Sequence, residues 1–377
     1  MKQENKNILF LTDSNHFSSK IYGGVQICSQ EFFNLLQLTH FEISVLEVSP
    51  TKSLLTKIKR RLLIDNYDYY DDAIIAHEIK DFHLHKKIYA LAVNQIALLP
   101  AAIYFNQKYK QSAKIILLSH GNETGDYIGQ ILSKPFNFFQ SYLHSNRLGK
   151  MLIKEASMLS RDVDLTLVMS EQERVFDQWL GADNIVLIPR IFSPAFLSWN
   201  PTLGRVGFVG TLNHLPNFSG IDGLCQALEH CKLPPNFKFH LVGSGEKEGQ
   251  AFASKFSFVN YLGHLTDTAL NAEASTWTLF LNPVFQLSRG ASTKLATGIN
   301  WGLPLLSTPF GNRGYEWNNG SIPTFLNPNA MVKAIVDNAW SKENLMNLAE
   351  QTKLVAASGP SLQELAERVE KALIADS

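Results

Sequence analysis

Short apolar runs alternate with longer stretches of helical periodicity along the chain, the pattern of parallel sheets covered by helices. In the first half the pattern predicts strands at Ile8–Thr12, Ile43–Val48, Tyr89–Val93, Lys114–Ser119, Leu165–Met169 and Ile185–Ile188, with helices over 24–38, 96–110, 136–160 and 171–179. The apolar stretch Ile88–Phe105 is broken by Asn94, Gln95 and Pro100, so it reads as a strand followed by a helix. The second half restarts the rhythm with strands at Val206–Val209, Lys238–Val242, Phe258–Leu262, Thr278–Leu281 and Leu303–Ser307. Residues 189–204, PRIFSPAFLSWNPTLG, have three prolines and no period, which marks a linker. The last pattern, Ser361–Ile374, repeats Leu362, Leu365, Ala366, Val369, Ala372 and Leu373 as one apolar stripe. The predicted organisation is a domain at 1–188, the linker, a domain at 205–358 and a terminal helix within 359–377.

A chain of 377 residues can bury two full α/β cores. With 18% charged and 45% hydrophobic residues it is globular. Lys+Arg and Asp+Glu both number 34, so no overall field draws it to nucleic acid. Cys28, Cys225 and Cys231 are too few for a disulfide framework and read as small buried residues in a reducing compartment. The start, MKQENKNILFLT, is too briefly apolar for a secretion signal, and no run reaches the roughly 20 apolar residues of a membrane span. A cytoplasmic protein is expected. One segment adds a membrane surface to the expected partners: in KSLLTKIKRRLL, residues 52–63, Leu54, Leu55, Ile58 and Leu62 share a helical face ringed by Lys52, Lys57, Lys59, Arg60 and Arg61. A basic amphipathic helix of this kind lies on an anionic bilayer, or packs as an ordinary surface helix.

In open α/β sheets ligands bind beyond the carboxyl ends of the strands, so candidate chemistry is sought in strand-end loops. Gly23-Gly24 opens a helix after the first strand, where bare N–H groups face an anion; a plain turn is the alternative. After Lys114–Ser119 the loop reads SHGNETGDY. His120 there can hydrogen-bond a ligand or stabilise charge, or serve as a structural histidine. Glu123 and Asp126 are either acceptor-binding carboxylates or solvated loop charges. Val209-Gly210-Thr211 ends the first strand of the second half. In the block from Trp277 to Tyr315 a strand ends at Asn282-Pro283 and a small-residue loop follows. That loop places Arg289, Gly290, Ala291, Ser292, Thr293 and Lys294 before a helix. Cations and small donors at a helix N-terminus suit a polyphosphate.

This block resembles the donor-binding half of GT-B glycosyltransferases, particularly family four, through Pro283, Gly290, Lys294, Gly302, Pro304, Thr308, Gly311 and Gly314. The resemblance implies an α/β protein with two Rossmann-like domains facing a cleft and a C-terminal helix crossing back to the first. It further implies retaining, metal-independent transfer of a sugar from a nucleotide-sugar donor to a glycan, lipid-linked or protein-borne acceptor, with no cofactor besides the donor. Gly23, Gly24, Gly210, Thr211 and 289–294 would contact the donor's phosphates or sugar. Gly243, Gly263, His264 and Leu265 would hold the nucleoside, and His120 would hold the transferred sugar. The chain departs from the family in two places. The cations expected soon after Gly210 are replaced by Asn213, His214 and Asn217, which leaves the phosphate charge to Arg289 and Lys294. Of the two usual glutamates, one position carries Gly290 and the other Thr297, a weaker partner for a ribose. These departures keep two alternatives in view: a non-catalytic GT-B subunit that binds a partner or glycan, and a related GT-B enzyme such as an epimerase or inverting transferase.

Other signals are weaker. Asp162-Val163-Asp164 precedes a strand and Asp68 lies in a charged stretch, so neither imitates a metal-binding Asp-x-Asp at a strand end. His83 and His85, with His77, lack a completing ligand. No G-x-G-x-x-G, Walker loop or G-x-S-x-G occurs.

Overall fold

The computed structural model describes residues 6–17, 24–51, 53, 54, 58, 67, 69–132 and 135–375. Gly23, Asp68 and most of the basic segment 52–63 lie outside the described residues. The chain divides into two compact units, residues 1–190 with 361–377, and residues 191–360.

The first unit is built on a six-stranded parallel sheet: β1 (Asn7–Asp13), β2 (Glu42–Val48), β3 (Ile88–Asn94), β4 (Lys114–Leu118), β5 (Leu165–Val168) and β6 (Ile185–Leu187), in the order β2-β1-β3-β4-β5-β6. Every residue of β1 is buried, since helices cover both faces of an interior strand. The edge strand β2 keeps Glu42 and Glu47 exposed. One large core contains Leu9, Leu91, Val93, Phe105, Leu117 and Leu159. After β3 a single 3-10 turn, Ile96–Leu98, precedes helix Leu99–Tyr109, whose first turn takes Pro100. The expected helix over 96–110 therefore begins three residues late. The terminal helix, Leu362–Ala375, belongs to this unit. It buries Leu365, Ala366, Val369 and Leu373 and packs on helix Gly24–Gln37 and on β6.

The second unit carries five parallel strands, β7 (Arg205–Val209), β8 (Lys238–Val242), β9 (Val259–Gly263), β10 (Leu279–Leu281) and β11 (Leu305–Leu306), in the order β11-β10-β7-β8-β9. Residues 191–204 have no regular secondary structure, as the prolines require. They are nonetheless part of this unit: Phe192, Leu197 and Trp199 pack on its core, and Trp199 Nε1 donates to the Trp277 carbonyl at 2.7 Å. Trp277 is wholly buried over Gly207 of β7, where any β-carbon would collide with its ring.

The chain runs outward through β7, β8 and β9, then returns to place β10 on the other side of β7. The first sheet reverses in the same way between β1 and β3. Each reversal opens a crevice beyond the strands' carboxyl ends, the favoured ligand position in such sheets.

Candidate active site

At the crevice of the second unit, helix Thr293–Trp301 starts directly behind the loop that follows β10. Ser292 caps it, its hydroxyl accepting from the Leu295 amide at 3.4 Å, and Gly302 closes it in the left-handed conformation with φ of 69°. Lys294 lies in the first turn, and its stem rests against Gly210 at the end of β7: a β-carbon on Gly210 would sit 3.3 Å from Lys294 Cδ. Lys294 makes no hydrogen bond or ion pair with any described residue. Burial, reinforced by the Arg313 guanidinium, pushes its ammonium down to about 8. A cation in the first turn of a helix, next to a second cation and with no carboxylate partner among the described residues, can take an anion from outside the chain.

Arg313 was not singled out from the sequence. It is 6% exposed, and its guanidinium holds the loop after β10 in place. Nη1 donates to the Phe310 carbonyl at 2.8 Å, Nη2 to the Ser288 hydroxyl at 3.0 Å, and Nε and Nη2 to the Arg289 carbonyl at 3.4 Å. The Ser292 amide donates to the Arg313 carbonyl at 3.1 Å. Gly314 lets the two segments meet, because a β-carbon there would collide with Ala291, and its φ of 87° suits only glycine. Asn282 completes the frame from the end of β10: its amide donates to Ser292 Oγ, Ser307 Oγ and the Gly311 carbonyl at 3.3, 3.1 and 2.9 Å. Its sequence signal was its place just past a buried strand, and that of Arg313 its place between Gly311 and Gly314. Arg313→Lys should keep the charge and lose the planar fork. We expect it to lower stability by about 1–3 kcal/mol and to weaken donor binding; unchanged melting and affinity would show that the loop holds itself.

Along the sheet, Gly210, Gly243 and Gly263 end three adjacent strands. The Gly210 amide donates to the Val242 carbonyl at 2.9 Å and the Gly243 amide to the Gly263 carbonyl at 2.8 Å. A side chain on Gly243, whose φ is 134°, would strike the Gly210 carbonyl, so these strand ends form a bare backbone floor. Strands lie about 4.8 Å apart, which puts the β9 end about 14 Å from the β10 end, a span suited to an extended nucleoside diphosphate. His264 is exposed beyond β9, and Leu265 packs partly into the core. The Thr211 hydroxyl lies 3.2 Å from Ser244 Oγ, bridging the loops after β7 and β8. The Thr297 hydroxyl donates to the Thr293 carbonyl at 3.0 Å, which leaves its oxygen able to accept from a ligand hydroxyl.

In the first unit, His120 follows β4 and is half-buried. Its Nε2 lies 2.6 Å from Asn94 Oδ1 at the end of β3. The Asn94 amide donates to Thr12 Oγ1 at 2.8 Å and to Ser29 Oγ at 2.9 Å. Ser29 passes its own proton to the Val25 carbonyl at 2.9 Å and must accept from Asn94. The Asn94 oxygen therefore faces His120, Nε2 carries the proton, and in the neutral ring Nδ1 carries the lone pair. Gly24 is the first residue of helix Gly24–Gln37, with open space where a β-carbon would stand.

Glu123 and Asp126 are not loop charges: they occupy the first turn of helix Glu123–Leu132, whose Gly125 amide donates to Asn122 Oδ1 at 2.7 Å. Beneath this turn, Asn122 Nδ2 donates to Asp177 Oδ1 at 2.9 Å and to Glu155 Oε2 at 3.3 Å, and the Tyr67 hydroxyl bonds Glu155. Burial, ahead of the neighbouring Glu173 and Glu155 charges, pushes Asp177 up to about 7, and burial also raises Glu155. This cluster anchors the residues after His120. Asp164 serves the fold, accepting from the Ile115 amide at 2.7 Å. His83 accepts from the Ile88 amide at 3.2 Å. Among the described residues no three His, Cys, Asp or Glu side chains are grouped to hold a metal.

Residues 204–339, which lie within the second unit, match the model of the family described as glycosyl transferases group 1. Solved structures similar to the whole chain include sucrose-phosphate synthase from Thermosynechococcus elongatus, at 14% identity and a TM-score of 0.63, covering 99% of this chain and 100% of that one. Another is Anabaena HepE in complex with UDP-glucose, at 14% identity and 0.59, covering 98% and 99%. A third is the lipopolysaccharide outer core galactosyltransferase WaaB, at 12% and 0.59, covering 98% and 100%. No curated protein matches the sequence. The chain has the fold of these structures, two Rossmann-like α/β domains. Its second unit carries the group 1 glycosyltransferase domain.

Proposed function

We propose that the protein transfers a sugar from a nucleoside-diphosphate donor to a glycan or lipid-linked acceptor, retaining the anomeric configuration. The observation that carries this reading is Lys294, set against Gly210 and beside Arg313 at a strand crevice, without a carboxylate partner among the described residues. Lys294, Arg289 and the amides at the start of helix Thr293–Trp301 would neutralise the diphosphate as the leaving group departs. On this reading no metal ion is required for that task. The floor at Gly210, Gly243 and Gly263 would admit the nucleotide's backbone-facing side, with His264 and Leu265 at the base. His120, orientated by Asn94, would hold the transferred sugar or stabilise charge near its anomeric carbon. HepE, whose structure was solved with UDP-glucose, makes a uridine donor the first to test.

The test is a thermal-shift screen over UDP, GDP, ADP and their sugars, followed by product analysis by NMR. One nucleotide family should raise the melting temperature; ligand at about 100 times its dissociation constant adds about 2.7 kcal/mol. Activity should persist in EDTA and give a retained anomer. No shift with any nucleotide would favour the non-catalytic reading, which the absent carboxylates at Gly290 and Thr297 motivate. An inverted anomer would point to a related GT-B transferase.

A further inference from the structure

The junction between helices Glu123–Leu132 and Phe138–Arg161 exposes an unusual set of apolar side chains. Leu132 is 80% exposed, Phe138 92%, Phe139 67% and Tyr142 64%. Ordinary packing does not account for them. The helix buries Met151, Met158 and Leu159 on its inner face, whereas Phe139, Tyr142 and Ile153 share a different face with Asn146 and Lys150, at steps of three and four residues. Ile153 is itself 74% exposed. Leu132, Phe138, Phe139 and Tyr142, exposed together at one helix junction, are apolar surface of the kind that marks an interaction site.

The charge on the same helix selects the partner. Its charged residues are Arg147, Lys150, Lys154, Arg161 and Glu155, and Glu155 alone is wholly buried. All of the helix's accessible charge is thus positive. Leu54 and Ile58, in the basic segment of the same unit, are also exposed, at 72% and 45%. Phenyl and phenol rings settle at the boundary between headgroups and acyl chains, and lysine and arginine stems reach anionic headgroups from beside them.

We propose that the face formed by Leu132, Phe138, Phe139, Tyr142, Lys150 and Ile153 docks the first unit on an anionic lipid bilayer. That a lipid-borne acceptor is met there rests on the transferase reading above; the docking does not. The helix would lie in the interfacial plane, with the rings among the upper acyl chains and the cations toward the headgroups.

Flotation of the full chain with phosphatidylcholine vesicles, with and without phosphatidylglycerol, tests this. The wild type should float with the anionic vesicles, more weakly as salt rises, and not with phosphatidylcholine alone. Phe138→Ser/Phe139→Ser/Tyr142→Ser should reduce binding by roughly tenfold or more, as three interfacial rings are lost. Its melting temperature and its nucleotide-induced thermal shift should be unchanged, because all three side chains are exposed. The proposal is overturned if the wild type fails to float, or if the triple variant floats equally well. It is also overturned if light scattering shows a wild-type dimer that the triple variant converts to a monomer, since the face would then belong to a second copy. Vesicle binding without any nucleotide shift would sink the transferase reading and leave the docking intact; the converse would sink only the docking.

Discussion

Lys294→Met should lose about 1.5–3 kcal/mol of donor affinity, roughly ten- to a hundredfold, while melting at or above the wild-type temperature at pH 7. Methionine keeps the stem that rests on Gly210 and removes only the charge. The opposite signs follow from one fact. Burial and the Arg313 charge make the protonated lysine costly in the folded chain, which is why its ammonium sits near 8. Below about pH 8 the folded and unfolded chains both carry the proton, and the folded one bears the cost. As pH rises from about 8 toward the ordinary lysine value, the folded chain releases its proton first and gains stability from this residue. An anionic donor works in the other direction, because it needs the ammonium. Wild-type donor affinity should therefore fall as pH rises through about 8, and the fall should be absent in Lys294→Met. Calorimetric titration with the best nucleotide sugar at pH 7 and 9 reads both effects. Equal affinities of wild type and variant at pH 7 would place the phosphate site elsewhere.

His120→Ala and His120→Gln should both lose about a hundred- to a thousandfold in transfer rate, the usual cost of removing a group that stabilises developing charge. They should differ in stability. Alanine leaves the buried Asn94 Oδ1 without the donor that His120 Nε2 supplies, at a cost of about 1–3 kcal/mol. Glutamine can place an N–H near that oxygen and should restore most of the loss. Parallel measurement of kcat and of melting temperature separates a chemical from an architectural histidine. If His120→Gln turns over at the wild-type rate, the imidazole serves the Asn94 network and not the reaction.

Why one side of each site was readable and the other was not has a physical basis. Lys294 could be found because its meaning is local: small residues, a cation and a helix start occur in one run, and a helix N-terminus favours an anion wherever it lies. Arg313 could not, since its neighbours Ser288 and Arg289 are joined to it only by the packing of two loops. The Asn94 network is similar. It joins side chains from β1, β3, the loop after β4 and helix Gly24–Gln37, and sequence spacing says nothing about which polar groups will share a proton. Helix Glu123–Leu132 was hidden by its own glycines, Gly125 and Gly129, which weaken helix propensity; the cap from Asn122 was the signal that opposed them.

The sequence by itself determined the succession of strands, because a parallel strand buried on both faces must be a continuous apolar run. It also marked 189–204 as free of regular elements, since its three prolines interrupt any period. The tertiary structure alone decided which polar groups meet. It drew Arg313 to the loop beside Lys294, turned the Thr297 hydroxyl back on its own helix, and left Phe138, Phe139 and Tyr142 uncovered. Apolar periodicity is written along the chain, whereas a hydrogen bond depends on the distance between two atoms, which is fixed only once the sheets and helices have packed.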